Sequence, residues 1–207
     1  MPIILTIFSL VVFIYSVVIH EVSHGLAADS MGDKTARVLG RLSLNPLKHL
    51  DIFGSVVLPI LLYVASGGGL VFGYAKPVPY NPHNLNDQKY GPIKVALAGP
   101  AANILIALVF GLVLRFFNDF FAGMLIPNLF ATIVGINLIL AIFNLFPIPP
   151  LDGHWVLVTL LPARFQAFRD FLYRYSIFLF IFFIIFIYPY IFPLVPWLFH
   201  LITGLSF

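Results

Sequence analysis

The sequence predicts an all-α polytopic membrane protein, and three observations support that fold class. Hydrophobic residues make up 61% of the 207 residues and charged residues only 9%, whereas a soluble domain has about a quarter charged residues. The apolar residues form runs long enough to cross a bilayer, which takes about 20 residues of helix. A chain of this size cannot bury so much apolar surface against itself, so lipid is expected to cover most of its exterior.

Each expected span comes from one apolar run. The spans are residues 3–28, 93–116, 124–146 and roughly 171–190. Prolines interrupt the Phe-rich run 175–205, so we predict about four to six transmembrane helices in all. The length fits a single domain over 1–207, with a catalytic core over about 3–163 and C-terminal hydrophobic helices over about 170–205.

Residues 52–83 are expected to line the functional site, with 52–75 entering the membrane and returning on the same side. The apolar run 52–66 is short, and Pro77, Pro79 and Pro82 favour extended backbone over helix in the stretch that follows. Non-helical backbone at membrane depth is tolerated where it is buried in protein or lines a wet cavity. We therefore predict a re-entrant loop or β-hairpin beside the functional site.

This topology places ten of the eleven basic side chains on one face of the membrane, which the positive-inside rule makes cytoplasmic. Arg115 alone lies opposite. The basic residues are scattered through loops, so nucleic acid is not an expected partner. The ten are Lys34, Arg37, Arg41, Lys48, Lys76, Lys89, Lys94, Arg164, Arg169 and Arg174.

The segment His20-Glu21-Val22-Ser23-His24 has the H-E-x-x-H spacing of a zinc site on a helix. Residues four apart share one helix face, so His20 and His24 can bind one metal ion. Glu21, beside them, can take a proton from an attacking water. Ionisable residues near the end of a spanning helix are costly and indicate function rather than a mere helix anchor.

A third ligand must be His, Asp or Glu, because the chain has no cysteine. Asp152 follows a proline-rich break on the same face as the histidine pair, and Gly153 allows close backbone approach. From spacing alone Asp152 is either a ligand or the N-cap of the next helix. His49 and His154 are weaker candidates for the third ligand, and His83 and His200 are expected to be interfacial residues.

Five motifs in order resemble those of the site-2 protease family of intramembrane zinc metalloproteases, in its small form without PDZ or other appended domains. They cover roughly residues 15–155. Beside the H-E-x-x-H motif they are Leu-Ser-Leu-Asn-Pro-Leu-Lys-His-Leu-Asp over 42–51, Gly-Tyr-Ala-Lys-Pro-Val-Pro-Tyr-Asn-Pro over 73–82, Ala-Gly-Pro-Ala-Ala-Asn over 98–103, and Asn-Leu-Phe-Pro-Ile-Pro-Pro-Leu-Asp-Gly over 144–153.

The resemblance implies roles at the matching positions. His20, His24 and Asp152 would bind Zn²⁺, and Glu21 would be the general base. Asn144 would lie near the reacting carbonyl, with an interhelical hydrogen bond as the alternative. Asn103 would contact the substrate or form hydrogen bonds near the site.

The resemblance also implies a membrane-anchored protein or peptide substrate and a multi-pass protein of a prokaryotic cell membrane. An extended piece could bind an unwound substrate by strand addition or could plug the site. Its residues in this role are Lys76, Pro77, Val78 and Pro79. A metal transporter or an inactive family member that only binds its partners is the competing class of function.

Overall fold

The regular structure of the chain is helical throughout the part that the computed structural model describes, residues 2–65 and 73–207. Short 3-10 turns cover Pro46–Lys48, Pro82–Asn84 and Ala163–Phe165, and π-helices cover Ile52–Val57 and Phe183–Ile187. The α-helices are α1 Pro2–Ser30, α2 Thr35–Val38, α3 Leu58–Ala65, α4 Gly91–Phe117, α5 Ile126–Asn144, α6 Gly153–Leu160, α7 Gln166–Arg174, α8 Ser176–Phe182, α9 Tyr188–Ile191 and α10 Leu194–Thr203.

Within 2–65 and 73–207, three helices, α1, α4 and α5, are long and apolar enough to cross a membrane. A fourth span results if Ala163–Arg174 and Ser176–Ile191 count as one, although they are bent by 73°. The all-α membrane fold is thus confirmed, and the described residues provide three spans, or four with the bent pair, where four to six were predicted. Ser176–Ile191 is the apolar part of the fourth predicted span, whereas α7 before it carries the charged side chains Arg169, Asp170 and Arg174.

The bundle of α1, α4 and α5 has two chemically different ends. At the polar end, the second half of α1 meets the start of α4 and the end of α5. At the apolar end, α10 packs against the other halves of α4 and α5. The core of the apolar end is made of aliphatic and aromatic side chains, namely Ala107, Leu114, Val134, Leu138, Val195 and Phe199.

Residues 73–80 form an irregular stretch beside the polar end, called the extended stretch after its predicted conformation. No β-strand occurs in 2–65 or 73–207, so isolated hydrogen bonds hold this stretch: the Tyr74 N–H donates to Gly54 O and the Lys76 N–H to His49 O. Residues 66–72 lie outside the described part of the chain. The re-entrant path of 52–75, and any hairpin turn within it, therefore stays a prediction.

Candidate metal centre

Three side chains of the polar end converge on one point. Asp152 Oδ2 lies 3.0 Å from His20 Nε2 and 3.3 Å from His24 Nε2, and the two Nε2 atoms are 3.1 Å apart. Within 2–65 and 73–207 this is the one cluster of His, Asp or Glu able to hold a metal ion. The histidine spacing of four places both rings on the same face of α1.

The other ring nitrogens show which nitrogen carries the proton. His20 Nδ1 lies 2.6 Å from Asn103 Oδ1, and His24 Nδ1 lies 2.7 Å from the Val95 carbonyl. Both partners are hydrogen-bond acceptors, so Nδ1–H must be the donor in each neutral ring. Each Nε2 therefore turns a lone pair toward the shared point, as a metal-binding histidine does.

The donor set fits zinc. Two imidazoles and a carboxylate are the ligand types of a catalytic zinc site, in which a fourth position stays open. Ligand atoms around a tetrahedral zinc lie about 3.3 Å apart, close to the observed spacings. Without a cation or a proton between them, three facing lone pairs would repel one another.

The close packing of α1 on α4 depends on Gly99. A Cβ on Gly99 would lie 2.4 Å from His24 Nε2 and 2.7 Å from His20 Cε1. Any side chain there would push the rings apart or separate the two helices. The Gly-Pro motif of 98–103 is therefore a steric requirement of the metal centre.

Asp152 stands at the N-cap position of α6, but its side chain makes no capping hydrogen bond and faces the histidine pair instead. The geometry thus favours the ligand over the cap. Gly153 makes the turn possible, because a Cβ there would lie 2.1 Å from Leu145 O. His154 turns away and bonds the Leu151 carbonyl through Nδ1 at 2.6 Å.

Glu21 lies next to the metal-facing histidines and contacts the extended stretch. Its Oε2 accepts a hydrogen bond of 2.9 Å from the Val78 N–H. Arg41 Nη2 donates to the carbonyls of Lys76 at 2.8 Å and Pro77 at 3.2 Å. The carboxylate expected to act as base is therefore tied to the residues expected to bind substrate.

The backbone carbonyl of His49 and the buried side chain of Asp33 anchor the extended stretch and the residues that follow it. His49 donates from Nε2 to Ser43 O at 2.7 Å, the structural place predicted for it within 42–51. Asp33 Oδ2 accepts the Asn81 N–H at 2.6 Å, and Asp33 Oδ1 accepts from Asn84 Nδ2 at 3.0 Å. The stretch is thereby fixed against α1 and the loop that follows it.

Asn103 and Asn144 differ in their surroundings. Asn103 is fully buried and contacts His20, whereas Asn144 is half-buried and donates from Nδ2 to Leu140 O at 2.9 Å within its own helix. Substrate contact by Asn103 and action on the reacting carbonyl by Asn144 stay predictions.

Four further groups lie around the site without having been predicted from the sequence. Asn137 and Ser16 extend the contact of Asn103 with His20, and the Val95 carbonyl orients His24. Burial and the nearby Asp152 carboxylate raise the pKa of Tyr80 to about 12, so its phenol stays protonated. Of these, the Asn137 amide was detectable, since an amide in an apolar span requires partners.

Comparison with known proteins decides the family. The family model described as "Peptidase family M50" matches residues 8–126 and 118–187. The chain belongs to peptidase family M50. Among relatives of this M50 peptidase, "Putative zinc metalloprotease YwhC" of Bacillus subtilis (strain 168) is 34% identical over 172 residues, covering 80% of the chain and 74% of the relative.

A second relative, "Putative zinc metalloprotease Rip2" of Mycolicibacterium smegmatis, is 33% identical over 150 residues. That match covers 70% of this M50 peptidase and 54% of Rip2, so the chain spans about half of the longer relative. No solved structure matches the chain.

Membership confirms the resemblance to site-2 proteases, the zinc cofactor and the enzymatic class. Together with the apolar spans, it makes this M50 peptidase an integral membrane zinc metalloprotease. The family assignment argues against the metal-transporter alternative.

Proposed function

We propose that this M50 peptidase is an intramembrane endopeptidase that hydrolyses peptide bonds in or near transmembrane segments of membrane-anchored proteins, as in regulated intramembrane proteolysis. The supporting observation is the position of the metal-facing cluster along α1, away from the end of this candidate span. His20 lies ten residues before the end of the spanning helix α1, a rise of about 15 Å. A cluster at that depth is within reach of a peptide bond inside the hydrocarbon layer, which is about 30 Å thick.

The proposed mechanism assigns one task to each side chain. His20, His24 and Asp152 hold the metal, and Glu21 takes the proton of the attacking water and passes it to the leaving amine. Zinc, when bound, supplies the Lewis acid that polarises the carbonyl and makes water acidic near neutral pH. The products are a carboxylate and an amine, so no other reactant is needed.

The extended stretch suggests how substrate binding and the base are linked. Pro77 and Pro79 have no N–H group, and the N–H groups of Lys76 and Val78 are engaged by His49 O and Glu21. An added substrate strand would therefore find no free N–H donor between Lys76 and Pro79 until the hydrogen bond between the Val78 N–H and Glu21 breaks. We infer that substrate competes for this N–H and frees the carboxylate for catalysis.

Val78→Pro tests this inference, because it removes the N–H while keeping an apolar side chain. We expect a raised KM with unchanged bound zinc. Val78→Ala, which retains the N–H, is the matched control and should keep the KM of the parent. Equal KM values in all three proteins would contradict competition for this group.

The predicted cytoplasmic position of the site, in a prokaryotic cell membrane, can be tested without removing native thiols, because the chain has no cysteine. Leu39→Cys marks the loop at the polar end and Phe120→Cys the loop at the apolar end; both native side chains are exposed. A membrane-impermeant maleimide added to intact cells should label position 120 and leave position 39 unlabelled until lysis. The reverse pattern would place the site on the outside.

The direct test of the proposed activity uses the protein reconstituted in liposomes with a single-span model substrate. Mass spectrometry of the products should map the cut within or beside the substrate's transmembrane segment, and a zinc chelator should stop the reaction. Cuts confined to soluble loops of the substrate, or to a soluble protein such as casein, would contradict intramembrane cleavage.

A further inference from the structure

A buried polar cluster joins α1, α4 and α5 on the side of His20 away from Asp152. It consists of Ser16, Asn103 and Asn137, which are 4%, 0% and 0% exposed. Two fully buried amides in lipid-spanning helices need all their partners inside the protein, because no water is available to them. Their hydrogen bonds form one connected path that ends on the metal-facing histidine.

The orientation of each amide follows from backbone carbonyls, which can only accept. Asn137 Nδ2 lies 2.9 Å from Ile133 O, so its NH₂ must point there and its Oδ1 must face Asn103. Asn103 Nδ2 donates to Asn137 Oδ1 at 2.8 Å and to Ser16 O at 3.3 Å. Both contacts require the NH₂ of Asn103 on that side.

With its NH₂ so placed, Asn103 must present Oδ1 to His20. The 2.6 Å contact with Nδ1 then places the ring proton on Nδ1 and leaves the lone pair on Nε2, toward His24 and Asp152. A reversed Asn103 amide would direct an N–H donor at Nδ1, favour the proton on Nε2 and block the metal-facing nitrogen. The orientation of the Asn137 amide therefore fixes that of Asn103, which in turn fixes the tautomer of His20.

We propose that Asn137 is a positioning residue for the metal centre: acting through Asn103, it holds His20 in the tautomer and ring orientation that bind zinc. His24 differs, because a backbone carbonyl that no side-chain substitution removes orients its ring. The tautomer and orientation of His20 thus depend on side chains, through the hydrogen bonds that run from Ile133 O by way of Asn137 and Asn103. This inference rests on His20 being a zinc ligand.

Asn137→Leu removes the amide while keeping a side chain of similar size. We expect zinc affinity to fall about tenfold, the lower end of the range for partners behind a metal-binding histidine. Asn103→Leu should cost about 10–100-fold, and the double variant no more than Asn103→Leu alone, because the two residues lie on one path. Thr132→Val, which loses only the intrahelical bond to Asn128 O in the same helix, is the control and should bind zinc like the parent.

A second readout follows the tautomer itself. Nitrogen-15 NMR of labelled histidine in the zinc-free protein should show His20 protonated at Nδ1 in the parent and a mixture of tautomers in Asn137→Leu. If that variant fails to fold, Asn137→Ser removes the contact with Asn103 with a smaller change in polarity, and the same two measurements apply.

The outcomes separate the relay from the ligand assignment. Unchanged zinc affinity and tautomer in a folded Asn137 variant, with only a lowered melting temperature, would make Asn137 a packing residue and overturn the proposal. Additive losses in the double variant would overturn it too. If His20→Ala binds zinc as well as the parent, the ligand assignment itself fails.

Discussion

The two ends of the α1, α4 and α5 bundle use the same helices for opposite chemistry. At the apolar end, Leu114, Val134 and Phe199 fill the space between helices, and α10 covers them. At the polar end, His20, Asn103 and Asn137 are also buried, and hydrogen bonds satisfy their polar groups. The apolar end needs only shape and volume, whereas the polar end needs each donor to meet an acceptor.

The difference predicts where a substitution removes activity and where it only lowers stability. At the polar end, small chemical changes should abolish metal binding or proton transfer in a folded protein. At the apolar end, changes of similar size should alter the free energy of unfolding and leave the metal centre intact.

The largest expected effect comes from Glu21→Gln, which keeps the shape of the side chain and removes its basicity. Cleavage of a model substrate should fall by at least about 100-fold, the usual contribution of a general base. Bound zinc, measured by mass spectrometry of the metal, should equal that of the parent. Retained activity at unchanged zinc would show that another group is the base.

Asp152→Ala should lose most of the bound zinc together with the activity, because two histidines alone hold the metal weakly. Asp170→Ala is the control: this exposed carboxylate on α7 bonds only Gln166 in the described part of the chain. Normal zinc content in Asp152→Ala would restore the capping role as the explanation for that residue.

A matched pair of glycine substitutions compares the ends directly. The added Cβ would lie 2.4 Å from His24 Nε2 in Gly99→Ala and 2.4 Å from Ile202 Cγ2 in Gly111→Ala. Both overpack the bundle at a cost of about 1–3 kcal/mol. We expect Gly99→Ala to lose zinc, whereas Gly111→Ala should keep zinc and show only a lower melting temperature. Equal zinc loss in both would contradict the separation of the two ends.

The smallest expected effect concerns Asp33, outside the spanning helices. Its burial alone would raise the pKa, but hydrogen bonds from Thr35, Asn81 and Asn84 outweigh it and hold the pKa below its usual value. A lowered folded-state pKa adds stability that is present above the unfolded pKa of about 4 and is lost as the pH falls through the folded value. Asp33→Asn should therefore weaken the fall in melting temperature on acidification below about pH 4. An unchanged acid dependence would show that Asp33 does not contribute to it.

Apolar runs predicted the spans, and residue spacing predicted that the two histidines can face one metal ion; the ligand roles themselves stay predictions. The limits of the first three spans differ from the helices by one or two residues, and His20 and His24 face one point from the same side of α1, as their spacing predicts. These features are local or depend on helix geometry alone. The sequence could not decide whether Asp152 is a metal ligand or a helix cap, because the answer depends on where α6 lies relative to α1.

The contacts of the extended stretch and the role of Asn137 were also beyond the sequence. The Val78 N–H reaches Glu21 across 57 positions of the chain, and Asn137 reaches Ser16 across 121. Such pairs depend on how helices pack, and no periodicity in one sequence encodes them. The bend between α7 and α8 was missed for another reason. The span predicted over 171–190 joined the end of the amphipathic helix α7 to the apolar run that follows it.

X-ray absorption at the zinc edge of the purified, zinc-loaded protein is the most direct test of the metal centre. We predict two imidazole nitrogens at about 2.0–2.1 Å and oxygen ligands at about 2.0–2.2 Å, with the imidazole signal reduced in His20→Ala and in His24→Ala. Three or more imidazoles, or an imidazole signal that both substitutions leave unchanged, would contradict a zinc site built from His20, His24 and Asp152.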